Sequence, residues 1–166
     1  MLHRLLKSAD QALDLPRALA HCDIPCKIYD PAPALIAALS VIRLIDIIDE
    51  ISPKDAAALP EVYNTLARCV LRKEEEAEKV KHEIRIIWGD YFKAPQLEAH
   101  PQVHDLVHQI MMKASACKQN SKRADGEALL ELVNKFAEIF WATKDVKAVR
   151  KTSPYPPSAP VVYPEL

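Results

Sequence analysis

A chain of 166 residues has room for one domain with a real apolar core, plus tails. Its formal net charge of −1 excludes an electrostatic footprint for nucleic acid and a polybasic patch for membranes. Only 2 glycines, with 13 prolines gathered at segment edges, favour a helical domain over a sheet-rich one.

Residues 1–20 read as an amphipathic leader. Ala18-Leu19-Ala20 mimics a processing site, but Lys7, Asp10, Asp14 and Arg17 break every apolar run that a secretory signal would need. A short propeptide, cut between Ala20 and His21 inside the cytoplasm, is the expectation; a retained amphipathic helix is the alternative.

Residues 21–33 form a proline-rich loop opening on His21-Cys22-Asp23-Ile24-Pro25-Cys26-Lys27-Ile28-Tyr29. One imidazole and two thiols fall within six residues around a turn-forming proline. Cutting before His21 would add a free α-amine, giving a compact chelator for a thiophilic transition metal. Uncut, the stretch is an ordinary loop with two cysteines, and a thiol-redox or zinc site stands open. The C-x-x-x-C spacing and the lack of a βαβ pattern argue against thioredoxin-like chemistry, and zinc lacks a clear fourth donor.

Asp30-Pro31 signals a helix start, and the helix expected over 32–51 is apolar on more than one side, which suggests burial in the core or against another subunit. Arg43, Asp46 and Asp49 argue against a membrane span. Ser52-Pro53-Lys54-Asp55 is a second helix start, interrupted near Pro60. A long helical pattern then runs from Glu61 to Trp88, with Gly89 as the expected stop. Ala94-Pro95 marks a loop. His100-Pro101 opens a helix to about Asn120, and Asp125-Gly126-Glu127 opens another, with Leu129, Val133, Phe136 and Phe140 on its inner side. His104 and His108 have the i,i+4 spacing that can clamp a metal, but no third ligand stands near them, so surface or partner-packing histidines are preferred. Cys69 and Cys117 read as buried free thiols. Residues 149–166 form a proline-rich tail, expected to be extended and mobile. The sum is an all-α chain: an up-down four-helix bundle over 34–148 with an N-terminal metal hook loop.

The block His21-Cys22-Asp23-Ile24-Pro25-Cys26, followed by Tyr29-Asp30-Pro31, resembles the nickel hook of nickel-containing superoxide dismutases. Trp88-Gly89-Asp90-Tyr91-Phe92-Lys93 and Ile139-Phe140-Trp141-Ala142-Thr143-Lys144 are similar to two further segments of that family, in the right order. The resemblance implies a homohexamer, a propeptide removed by a maturation protease, and one nickel ion per subunit. It implies nickel ligation by the His21 α-amine and imidazole, the Cys22 amide nitrogen, and the Cys22 and Cys26 thiolates. It implies Ni(II)/Ni(III) cycling that turns superoxide into dioxygen and hydrogen peroxide. The donor chemistry agrees: Ni(II) takes square-planar nitrogen and sulfur donors. By the same resemblance Tyr29 and Tyr91 line the substrate pocket, and Asp23 and Lys93 lie near it, with Lys93 suited to attract an anion.

Two departures stand out. Lys27 occupies a position where the family usually has glycine. The family's carboxylate and arginine behind the histidine align with Ala37 and Glu76, so Glu76 is the candidate to orient the His21 ring. A helical oligomer that keeps the hook without catalysis is the remaining alternative.

Overall fold

The computed structural model describes residues 27–52 and 60–166. The hook ligands His21, Cys22 and Cys26, together with Asp23 and the cleavage site at Ala20, lie outside the described residues. So does the helix start at Pro53-Lys54-Asp55.

Helix α1 spans Ala32–Ile51, α2 Pro60–Ile86, α3 Ala94–Ala99, α4 Val103–Gln119 and α5 Arg123–Ala142. The four long helices form the bundle: α1 packs on α2 and α5, and α4 packs on the same two. Asp30 starts α1 as its sequence suggests, its carboxylate accepting the Ala32 N–H at 2.7 Å beside Pro31 at the N-cap. Inward faces supply the core, including Ile42, Ile45, Val80, Ile84, Ile110, Leu129, Phe136 and Phe140, all essentially inaccessible. Each such side chain contributes roughly 1.5–3 kcal/mol by leaving water. Gly126 lets α5 come close to α1: a Cβ there would meet Ile42 Cγ1 at 3.0 Å. No described helix is long and apolar enough to cross a membrane.

Three expectations need correction. Gly89 does not stop the second long helix. Instead α2 widens into a π-helical turn over Ile87–Tyr91, which ends where the Phe92 N–H reaches the Ile87 carbonyl at 3.3 Å. The extra residue per turn rotates the register, so that Phe92 is buried and Tyr91 half-buried. The Ala94-Pro95 loop is the first turn of α3, where proline costs no hydrogen bond and the Lys93 N–H is capped by the Gln96 side-chain oxygen at 3.1 Å.

The tail is the largest correction. Residues 149–166 are not an extended, mobile segment. Strands β1 (Ala148–Thr152) and β2 (Pro160–Pro164) pair antiparallel, with Val149 opposite Tyr163 and Arg150 opposite Val162. The bundle itself ends at Ala142, earlier than residue 148. Prolines sit at the strand ends, where missing donors do little harm. Between them Val161 and Val162 are each 3% exposed, packed against the bundle. Buried Asn134 of α5 completes the docking: its amide donates to the Pro160 carbonyl at 2.9 Å and its oxygen accepts the Val162 N–H at 3.0 Å. Arg150 forks onto Glu138 and Glu131 of α5, both at 2.6 Å.

Candidate metal centre

The segment that follows the hook enters the described structure at Lys27, whose φ of 59° lies in the left-handed region. That is the conformation glycine adopts freely and lysine only at a cost of roughly 1–2 kcal/mol. The turn leading out of the hook therefore carries strain in this chain.

Tyr29 and Tyr91, 62 residues apart by number, are brought together: their ring centroids lie 5.7 Å apart at 51°. Tyr29 leads into α1, and Tyr91 ends the π-turn. Tyr91 also packs on Phe140 at 5.0 Å and Phe92 at 5.4 Å, which fixes its ring against the core. Its hydroxyl lies 2.7 Å from Thr143 Oγ1. Thr143 spends its own proton on the Phe140 carbonyl at 2.6 Å, so Tyr91 is the donor in this pair. The Tyr91 oxygen thus offers only lone pairs to anything else at the site. The Lys144 ammonium sits 4.8 Å from the Tyr91 ring centroid. Thr143 and Lys144 thus support Tyr91 from the end of α5, a role no single residue type there announces. Their signal was present in the Phe140-Trp141-Ala142-Thr143-Lys144 block, which the fold joins to the Tyr91 block.

Lys93 turns back along the π-turn, its ammonium donating to the Gly89 carbonyl at 3.1 Å, and stays exposed. Its charge lies two residues beyond Tyr91.

Ala37 is fully buried in α1. Glu76, on α2, is a buried carboxylate bound to Arg72 at 2.9 Å. It lines an open groove with Ile36, Ser40, Arg43, Arg72 and Tyr155, so it faces the turns of α1 that bracket Ala37. A carboxylate missing from α1 is thus present on the neighbouring helix, opposite the same stretch.

The other metal candidates find different partners. His104 accepts a hydrogen bond from Trp88 Nε1 at 3.1 Å and meets its ring edge-on. Among the described residues no three His, Cys, Asp or Glu side chains gather as a metal site. Cys69 and Cys117 are both free thiols; Cys69 is only partly buried, and Cys117 is fully buried. Burial, aided by the charge of Asp125, pushes the Cys117 thiol up to about 11, making it unreactive near neutral pH.

Comparison with known proteins supplies the context. A profile of nickel-containing superoxide dismutases matches residues 16–144, taking in the hook, both tyrosines and Thr143. The nickel superoxide dismutase of Streptomyces seoulensis is 36% identical over 125 residues, covering 75% of this chain and 88% of that protein. Its Streptomyces coelicolor counterpart is 38% identical over the same span. Among solved structures, a native nickel superoxide dismutase at 1.30 Å superposes with a TM-score of 0.65 at 35% identity. An oxidised-state structure of a nickel-containing superoxide dismutase gives 0.66. Each covers 75% of this chain and 99% of the solved one. A matching fold, a profile that spans the hook, and more than a third of residues shared over that length lead to one conclusion: the chain belongs to the nickel-containing superoxide dismutases.

Proposed function

We propose that this member of the family disproportionates superoxide through a nickel site built on its own amino terminus, exposed when residues 1–20 are removed by a maturation protease. The family match across residues 16–144 carries this reading. The His21 α-amine and imidazole, the Cys22 amide nitrogen, and the Cys22 and Cys26 sulfurs would hold one ion per subunit. That donor set suits a thiophilic ion preferring a square of nitrogen and sulfur. Nickel, when bound, supplies a one-electron couple that takes an electron from one superoxide and gives one to the next, yielding dioxygen and, with two protons, hydrogen peroxide.

The chain's own residues then do the rest. Tyr29 and Tyr91, packed together with tilted rings just after the hook, would shape the approach to the ion. Because the Tyr91 proton is committed to Thr143, its role is to shape the pocket and accept hydrogen bonds. Asp23 and the Lys93 ammonium set the local field, the latter favouring an incoming anion. Glu76 would hold the His21 ring in place of a carboxylate at position 37, orienting the imidazole as carboxylates do behind metal-bound histidines. The wide apolar surface of α1, including half-exposed Ile36, supports assembly into a homohexamer, and a cytoplasmic location fits the leader.

Co-expression with a maturation protease, followed by intact mass and metal analysis, tests the reading. A chain starting at His21 with one nickel per subunit and superoxide consumption is expected, and Cys26→Ser should abolish both nickel and turnover while the helical signal stays. A working form that still begins at Met1, or that carries zinc or a Cys22–Cys26 disulfide instead, would overturn it.

A further inference from the structure

The hairpin at 148–164 lies beyond the family match, which ends at residue 144. The native nickel superoxide dismutase at 1.30 Å is matched over 99% of its length by 75% of this chain, so a quarter of this chain lies outside that match. The hairpin is nevertheless fixed firmly, by Asn134, by Arg150 and by two buried valines.

Its position gives it a use. Strand β2 and the loop before it close a cavity of about 110 Å³ against the first turns of α1. Asp30, Pro31 and Leu35 form one side of that cavity, and Trp141, Tyr155 and Tyr163 the other. The tip continues past the cavity: Tyr155 and Pro156 also line the groove that holds Glu76 and Arg72. One added element thus lines both the cavity at the start of α1 and the groove of the candidate supporting carboxylate.

We propose that the C-terminal hairpin is a strap for the metal hook, with Tyr155 and Tyr163 as positioning residues that slow the loss of nickel. Lys27–Asp30 lead from the hook into α1, and the turn at Lys27 is strained. Rocking of the first turn of α1 would shift every ligand upstream of it. Clamping that turn from outside keeps the donors in register, so that a ligand that lets go rebinds before the ion escapes. This proposal rests on the hook being the nickel site.

The test uses mature, nickel-loaded protein and an excess of a chromophoric chelator, with nickel per subunit measured before the chase. Tyr155 is 44% exposed, so Tyr155→Ala should leave the melting temperature of the nickel-free bundle unchanged. Nickel release should accelerate about tenfold in Tyr155→Ala, and at least as much in a chain ending at Val146. Tyr155→Phe, which keeps the ring in the cavity wall, should recover most of the slow release. Equal release from full-length protein and Tyr155→Ala overturns the strap, whether or not the truncated chain folds. Failure of the full-length chain to take up nickel at all overturns the hook reading, and the strap with it, and is seen before the chase begins.

Discussion

Lys73 and Glu76 are both buried charges on α2, three residues apart, and they are bonded in different ways. Lys73 is 2% exposed and donates to the carbonyls of Cys117 at 2.5 Å, Asn120 at 2.6 Å and Lys118 at 3.2 Å. Those are orphan acceptors at the C-terminal end of α4, so the ammonium works as a cap supplied by another helix. All three of its protons are spent within the fold. Burial lowers its pKa, and the nearby charge of Glu74 opposes that only in part. Glu76, by contrast, meets an exposed arginine across one edge and opens onto a groove. A buried charge with every bond satisfied inside the chain belongs to stability; one left with capacity facing a groove is available to a visiting segment.

Glu76→Gln should break the comparison most sharply. It keeps shape and removes charge, and the expected cost is on the order of 10- to 100-fold in superoxide turnover, as for other carboxylates behind metal-bound histidines. The melting temperature should stay close to that of the parent chain. Unchanged turnover, together with an unaltered electron paramagnetic resonance spectrum of the oxidised enzyme, would make Glu76 as structural as its neighbour. Lys73→Met should do the reverse. Stranding the α4 carbonyls costs about 2 kcal/mol, read as a fall of several degrees in thermal unfolding, with nickel content intact. A matching loss of nickel at low temperature would mean the two regions are coupled.

Smaller effects sharpen the same contrast. A thiol reagent applied to native protein at pH 8 should leave Cys117 unlabelled, since its thiol is held near 11 and has no route to solvent; mass spectrometry of the digest reads this directly. Lys27→Gly should relieve the left-handed turn and stabilise by about 0.5 kcal/mol after the added chain entropy of glycine is counted. If the lysine charge helps draw in superoxide, the same variant should lose kcat/KM at low ionic strength and recover parity at high salt.

The helices of the bundle were legible because their signals are local. Asp30-Pro31 starts α1, and apolar residues at helical spacing fixed the inner faces of α4 and α5. The exceptions are places where distant partners decide. Gly89 looked like a stop because glycine disfavours helix, yet the π-turn continues through it while Phe92 locks into the core and Lys93 closes over the Gly89 carbonyl. The tail looked like polyproline because five prolines fall within residues 154–164, and nothing nearby reveals that Asn134 and Arg150 will hold Val161 and Val162 in a strand.

The hook's chemistry belongs to the sequence alone: ligand types, their order and the proline between them are covalent facts, and a chelating motif of six residues needs no fold to be read. The meeting of Tyr29 with Tyr91, the direction of the Tyr91 proton, and the carboxylate opposite Ala37 belong to the tertiary structure. Each depends on which helix faces come into contact, and residues dozens of positions apart acquire a shared role only when burial of the apolar core brings them together.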